Sequence, residues 1–342
     1  MSKQHSFPLL IRADATPSMG SGHIMRCLTL ASAARQAGAI VVMGGHCTIP
    51  WLCPRLEEEG YLFWEEPCPP QADVSCLLAQ LEDMARRIHC PTRDCAVILD
   101  GYHFTPLSQS AARKQARVLL VIDDYHHLPR YDCDILLNQN PGSEVYSYQG
   151  SVGLKLLGPE YALLRPEFKA PPPSGGRAKG LLLSLGGGDF SGVLPRLAPV
   201  LHVPSMRDKI LRVIAGSTPK KVIHTLLGHG PFRLEILPRV DDMPSLLADT
   251  DLCVSAGGST CWELCRMGVP FLTVEVAENQ RRICNWLDEY DFAPHFSISA
   301  LTALLENTEL RSEHAAALRH LVDGRGAERV MDTLFKFAYR GK

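Results

Sequence analysis

The chain is 342 residues long, which at roughly 150 residues per domain is room for two domains, each able to bury a full core. With 46% hydrophobic and 21% charged residues it cannot be a disordered, collagen-like or coiled-coil chain, and a formal net charge of −2 leaves no basic footprint for nucleic acid. Its 27 glycines and 25 prolines imply many turns between short alternating elements.

Taken in chain order, the amino-terminal apolar stretch Phe7 to Ile11 is too short for a signal peptide, and Arg12 and Asp14 follow it at once. No run of about 18 apolar residues occurs, so no membrane span is expected and the chain is expected to be cytoplasmic. Pro8-Leu9-Leu10-Ile11 reads as a buried strand, followed by a glycine-rich turn from Ser18 to Gly22. Ile24, Leu28, Ala31 and Arg35 step by three or four, which predicts a helix from Ile24 to Gln36 that Gly38 closes. Ile40 to Met43 is the next strand, and Leu77 to Ile88 a helix. Ala96 to Leu99 is a strand ending at Asp100, Ala111 to Ala116 a helix, Val118 to Ile122 a strand ending at Asp123, and Ile135 to Leu137 another strand. Strand and helix alternating in this order imply a parallel sheet with right-handed crossovers.

Pro166 to Lys179 breaks the pattern, because Pro171-Pro172-Pro173-Ser174-Gly175-Gly176 can bury nothing and continue no helix. The grammar then restarts. Strands are expected at Gly180 to Leu185, Lys209 to Ala215, Phe232 to Ile236, Leu252 to Ser255 and Val269 to Val274, with helices at Ser259 to Met267 and Asn279 to Tyr290. The fold class is therefore α/β: two Rossmann-like lobes, residues 1–165 and 180–342, joined by a linker at 166–179, their parallel sheets facing a central cleft. A ligand would bind at the carboxyl ends of both sheets.

Five glycine- or polar-rich turns carry candidate chemistry. Gly20-Ser21-Gly22-His23 lies between the first strand and the first helix. It fails as a dinucleotide fingerprint, since Met25 stands where GxGxxG needs glycine. It does set His23 at a helix amino terminus, whose positive end favours the neutral imidazole that a general base needs. Equally, His23 could simply cap its own helix. Ser255-Ala256-Gly257-Gly258-Ser259-Thr260-Cys261-Trp262-Glu263 is a second strand-to-helix turn. Backbone N–H groups of Gly258, Ser259 and Thr260 could cradle a pyrophosphate, and the Glu263 carboxylate could take the two hydroxyls of a ribose. The alternative is a capping box of Ser259 or Thr260 with Glu263, which needs no ligand. Glu278-Asn279-Gln280 offers groups for sugar hydroxyls or an amide, Gly186-Gly187-Gly188-Asp189 lies at the mouth of the second sheet, and Asp100-Gly101-Tyr102-His103 points a phenol and an imidazole toward the cleft.

Other patterns are set aside. Asp132-Cys133-Asp134 and Asp249-Thr250-Asp251 are DxD strings, but both precede apolar strands and stand away from the glycine turns, so neither is assigned a metal. His126-His127 reads as a solvated turn without a third zinc ligand, no GxSxG elbow occurs, and the twelve cysteines contain no CxxC and read as buried reduced thiols.

Together these residues resemble one family. Gly20-Ser21-Gly22-His23-Ile24-Met25-Arg26-Cys27-Leu28 is similar to the GSGHxxRCL signature of the UDP-2,4-diacetamido-2,4,6-trideoxy-β-L-altropyranose hydrolases of pseudaminic acid biosynthesis. Further likeness lies in Asp123-Asp124, Cys133 to Leu137 with Gln139-Asn140, Leu157 to Arg165, Ala256 to Thr260, and Asn279-Gln280, so that it runs from about residue 9 to about residue 330. The resemblance implies a GT-B-like fold, similar to the lipid-linked muramyl pentapeptide N-acetylglucosaminyltransferase. It implies a hydrolase that sends water to the anomeric carbon of a UDP-sugar with inversion. It makes His23 the general base, with Gly20, Ser21, Gly22, Tyr102, Gly186 and Gly187 around the substrate. Gly257, Gly258, Ser259, Thr260 and Glu263 would hold uridine and diphosphate, and Asn279 and Gln280 would stand on the sugar side. A UDP-sugar is the expected substrate, with no cofactor, metal, nucleic acid or membrane partner, and a monomeric chain. A glycosyltransferase of the same fold and a non-catalytic sugar-nucleotide sensor are the competing readings. The chain departs from the family pattern at Gly192, Asn138 and Thr105, positions that could line the sugar pocket.

Overall fold

A computed structural model describes residues 7–16, 19–65, 73–168, 180–238, 240 and 242–340. The described residues form two compact units, one of residues up to Pro166 together with those from Arg325 onward, the other Glu167–Gly324. The Pro171 to Gly176 stretch lies outside the described residues.

The first unit runs β1 (Pro8–Ala13), α1 (Gly22–Gln36), β2 (Ile40–Gly45), α2 (Leu52–Glu58), β3 (Leu62–Glu65), α3 (Val74–Arg87), β4 (Ala96–Asp100), α4 (Pro106–Gln115), β5 (Val118–Ile122), β6 (Tyr131–Asn138) and β7 (Gly150–Leu157). Its seven strands are ordered β3-β2-β1-β4-β5-β6-β7, and every pairing is parallel. Side chains alternate between two buried faces, as a sheet covered on both sides requires. Leu9 and Ile11 join one core with Ile98 and Leu120, while Leu10 joins another with Val97, Leu99 and Val121. Each such aliphatic side chain, fully buried, contributes about 1.5–3 kcal/mol.

The second unit runs β8 (Gly180–Ser184), α5 (Leu194–Leu201), β9 (Ile210–Ile214), α6 (Lys220–Leu227), β10 (Arg233–Leu237), α7 (Met243–Ala248), β11 (Cys253–Ala256), α8 (Thr260–Met267), β12 (Phe271–Val274), α9 (Arg281–Glu289), α10 (Ile298–Glu306) and α11 (Thr308–Leu321). Its parallel sheet has the order β10-β9-β8-β11-β12. Leu181, Leu183, Val213 and Val254 share a core with Leu194, Leu197 and Leu301.

The last helix, α12 (Gly326–Arg340), corrects the expected 180–342 lobe: it belongs to the first unit. Its Ala327, Val330, Met331 and Leu334 join the core beneath α1, and Phe335 packs edge-on against Phe7 at 5.3 Å. Arg117 Nε donates to the Ala338 carbonyl at 2.7 Å, and Arg329 to that of Glu160 at 2.9 Å. An amphipathic helix docks where its apolar stripe is covered, whatever its position in the chain.

Smaller differences have local causes. The helix expected from Ala111 starts five residues earlier, because Thr105 Oγ1 accepts from the Ser108 backbone N–H and Pro106 occupies the first turn. The helix expected from Asn279 begins at Arg281, after a 3-10 turn over Glu278–Gln280.

Candidate functional site

Register gathers the acids of the first unit. Ala13 of β1 pairs with Asp100 of β4, and Asp100 pairs with Ile122 of β5, so Asp14, Asp100, Asp123 and Asp124 all arrive at the carboxyl edge of one sheet. The turn into α1 meets the same edge. Gly20 takes φ +76°, a left-handed conformation that glycine adopts freely, and its N–H donates to the Thr16 carbonyl at 2.7 Å. Ser18 lies outside the described residues. Ser21 is the N-cap but makes no side-chain cap, and His23 is 6% exposed in the first turn of α1.

His23 caps nothing. Its Nδ1 stands 2.8 Å from Asp100 Oδ1. Arg26, one turn further on, donates to both Asp100 oxygens at 2.6 Å and to Asp124 Oδ1 at 2.6 Å. Tyr102 donates its hydroxyl to Asp124 Oδ2 at 2.6 Å, and its ring meets the His23 ring edge-on at 4.8 Å. Asn140 Nδ2 donates to the Asp124 carbonyl at 2.9 Å.

The electrostatics assign protons. Burial raises the Asp100 carboxyl, but Arg26 and His23 outweigh it and hold the group well below the usual carboxylate range. A carboxylate only accepts, so Nδ1 of His23 carries the proton and donates it to Asp100. Arg26 NH2, 3.1 Å from Nδ1, is then a close approach of two donors rather than a bond, and donates one of its hydrogens to Asp100. The neutral imidazole is thereby assigned the tautomer with Nε2 as its basic nitrogen. Burial, followed by Asp124, pushes the Tyr102 phenol far above its ordinary value, so it stays protonated. Burial and Asp100 likewise push the Cys27 thiol up, which leaves it inert.

A second hub stands beside the first. Asp123 is fully buried and accepts from His127 Nδ1 at 2.9 Å, Tyr131 at 2.7 Å, Tyr148 at 3.0 Å, Asn138 Nδ2 at 3.0 Å and the His126 N–H at 2.9 Å. Burial raises its carboxyl, but the bonds from His127, Tyr131 and the His126 backbone bring it down to about 2. The expectation of a solvated His126-His127 turn is therefore overturned: the His126 ring stacks on Tyr146 at 5.2 Å, and the Nε2 atoms of both histidines are buried. His103 Nε2 stands 3.1 Å from Asp14 Oδ2. Asn138 is 0% exposed beneath Asp123, and Thr105 caps a helix.

A pH dependence follows. A carboxyl whose folded pKa is depressed stabilises the fold above its unfolded value, and that stability disappears as pH falls through the folded value. For Asp123 the window runs from about 3.9 down to about 2, and the contribution is on the order of 2 kcal/mol. Urea midpoints should drop steeply between pH 4 and pH 2 in the parent and less steeply in Asp123→Asn. Parallel curves would show that the carboxylate is not the source.

In the second unit, the loop after β8 holds Gly186, Gly187 and Gly188, and the loop after β9 clamps it: Ser217 Oγ donates to the Gly187 carbonyl at 2.9 Å, and Thr218 Oγ1 to Asp189 Oδ1 at 3.1 Å. After β11, a Cβ on Gly257 would stand 2.6 Å from Cys284 Sγ and 2.8 Å from the Gln280 carbonyl, so only glycine lets this turn lie against the start of α9. Gly258 opens onto free space and Ser259 is exposed. Ser259 is the N-cap of α8 and makes no side-chain cap, and Glu263 sits half-buried in the first turn. Gln280 Oε1 accepts from the Val276 and Ala277 N–H groups at 3.0 and 3.3 Å, so it shapes its own loop, while Asn279 is exposed. Of the DxD strings, Asp132-Cys133-Asp134 lies within β6 rather than before a strand, and both its carboxylates hold Arg113 at 2.6 and 2.8 Å. Asp249 holds Arg212 at 2.8 Å.

Sequence reasoning assigned no site role to Asp100, Arg26 and Asp124. The signal that could have found the two acids is an aspartate closing or following a wholly apolar strand, since nothing in a buried strand needs a charge at its carboxyl end.

No protein-family model matches the chain. It is 25% identical over 340 residues to the spore coat polysaccharide biosynthesis protein SpsG of Bacillus subtilis, covering 94% of this chain and 95% of that protein. It is 24% identical over 286 residues to the UDP-2,4-diacetamido-2,4,6-trideoxy-beta-L-altropyranose hydrolase of Campylobacter jejuni, covering 82% and 95%. An uncharacterised protein of Methanocaldococcus jannaschii is 24% identical over 322 residues, covering 90% of this chain, which spans only 62% of that protein's length. Among solved structures, Acinetobacter baumannii MurG superposes with a TM-score of 0.66 at 15% identity, over 96% of this chain and 99% of that one. The Neisseria meningitidis UDP-GlcNAc 2-epimerase bound to UDP-GlcNAc superposes with a TM-score of 0.61 at 11% identity, over 96% and 100%. The fold is thus that of two Rossmann-like parallel-sheet units found in GT-B glycosyltransferases and these epimerases. Among the described residues, no helix is long and apolar enough to cross a membrane.

Proposed function

We propose that this chain hydrolyses a UDP-linked 2,4-diacetamido-2,4,6-trideoxyhexose, the kind of compound the Campylobacter relative is named for, and that it releases UDP. The observation that carries the reading is the His23–Asp100 pair at 2.8 Å, in which a buried carboxylate fixes the imidazole tautomer at the carboxyl edge of a parallel sheet. In this reading His23 Nε2 takes a proton from water as its oxygen bonds to the anomeric carbon. The bond from that carbon to the diphosphate oxygen breaks, and UDP leaves with the electron pair. A diphosphate is already a good leaving group, so a base and charge stabilisation suffice without a covalent nucleophile, and one displacement inverts the anomeric centre. Tyr102, whose proton is committed to Asp124, offers only acceptor lone pairs and is suited to hold the second hydrogen of that water.

The second unit has the nucleotide role. The amino end of α8, with backbone N–H groups of Gly258, Ser259 and Thr260, suits the diphosphate, and Glu263 suits the ribose. Glu263→Ala should weaken UDP binding roughly 10- to 150-fold, the equivalent of ~1.5–3 kcal/mol for a charge-assisted bond, with little change in saturated turnover. Calorimetry with UDP alone checks this, and unchanged affinity would place the ribose elsewhere.

The test of the reading is incubation of purified protein with UDP-sugars, without acceptor, followed by NMR. Release of UDP and free sugar supports it. Release only after an acceptor alcohol is added would make the chain a transferase, and binding without release would make it a sensor.

A further inference from the structure

Cys90 follows the carboxyl end of α3, and Cys95 leads directly into β4. Between them Pro91 and the 3-10 turn Thr92–Asp94 fold the chain back, through Asp94 N–H to the Pro91 carbonyl at 2.9 Å and Cys95 N–H to the Thr92 carbonyl at 3.0 Å. Both thiols consequently donate to one acceptor: Cys90 Sγ is 3.6 Å and Cys95 Sγ 3.5 Å from the Pro91 carbonyl oxygen. Cys90 is half-buried and Cys95 is 0% exposed. A solvent-reachable thiol and a sheltered one thus meet at one carbonyl oxygen across a tight turn.

We propose that Cys90 and Cys95 are a modification site at which a small-molecule disulfide such as oxidised glutathione reversibly installs an intramolecular disulfide. Cys90 loses its proton and attacks one sulfur of the incoming disulfide. That S–S bond breaks, and the first small thiolate departs and takes up a proton. Cys95 then gives up its proton and attacks the Cys90 sulfur, expelling the second small thiol. Two electrons pass from the protein thiols to the added disulfide, which ends as two thiols. Burial, and then the neighbouring Cys90, push the free Cys95 thiol up; the neutral mixed disulfide at Cys90 removes that second cause just when Cys95 must act. The product ties α3 to the amino end of β4, the strand whose other end carries Asp100. None of this depends on the proposed hydrolysis.

The experiment treats the full chain with oxidised glutathione, blocks the remaining thiols by alkylation and maps tryptic peptides. Cleavage after Arg93 separates Cys90 from Cys95, so a link appears as two joined peptides lacking two hydrogens. The expected result is a Cys90–Cys95 link in the majority of chains, reversed by dithiothreitol. Cys53 and Cys76, the other half-buried thiols among the described residues, should carry a glutathionyl group or remain alkylated. Cys95→Ser, whose hydroxyl can still address the Pro91 carbonyl, should trap a stable glutathionyl group on Cys90. The proposal is overturned if both thiols remain alkylatable after oxidation, or if Cys90 pairs with any other cysteine.

Discussion

His23→Asn is expected to lose about 10²- to 10⁴-fold in kcat, the usual worth of a general base, while UDP affinity stays nearly unchanged. The asparagine amide can still bond to Asp100, so the turn into α1 keeps its anchor, but it cannot take a proton from water. The two quantities should separate because His23 belongs to the first unit and the proposed nucleotide loops to the second. Measuring turnover beside calorimetric UDP affinity decides the matter. A variant that keeps more than about a third of the parent rate would mean that His23 only holds the helix end.

Asp100→Asn is expected to cost on the order of 10²-fold or more in kcat, although Asp100 is a positioning residue that touches no substrate in this account. An amide that turns its NH2 toward His23 makes Nδ1 the acceptor and moves the proton to Nε2, the nitrogen that must be free; the same logic governs the aspartate of the serine-protease triad. The substitution also takes from the Arg26 guanidinium the carboxylate it holds through two bonds, leaving it only Asp124. Breaking a buried pair from one side costs about 3–5 kcal/mol, so a lower melting temperature is expected as well. UDP affinity of the still-folded variant separates the two effects. Unimpaired turnover in a folded protein would show that the tautomer is set by something other than Asp100.

The central strands could be read from sequence because each is an unbroken apolar run: Leu9 to Ile11, Ala96 to Leu99 and Val118 to Ile122 are buried on both faces, where parallel strands must be hydrophobic throughout. The edge strand β7 is harder to read: Val152, Leu154 and Leu156 alternate with Ser151, Gly153 and Lys155, but its two glycines weaken the signal, it has no apolar run, and most of it is exposed. The helix α12 has an apolar stripe, but nothing local says that the stripe is completed by Phe7 and α1, more than 300 residues earlier. The site shows the same limit. The glycine turn and His23 stand out because their composition is unusual over a few residues. The partner that fixes His23 is 77 residues away, and the pairing of β1 with β4 that joins them is a tertiary event. Asn138 and Thr105 stand out only as sequence differences; that one is a buried strut under Asp123 and the other a helix cap comes from hydrogen bonds the sequence does not display.

The most direct measurement of the central claim is hydrolysis of the UDP-linked 2,4-diacetamido-2,4,6-trideoxyhexose in ¹⁸O-water, with both products read by mass spectrometry. If His23 directs water to the anomeric carbon, the label enters the released sugar at first turnover and UDP carries none. Label in the terminal phosphate of UDP would mean that water attacks phosphorus, and the assignment of His23 and of the displacement would be contradicted.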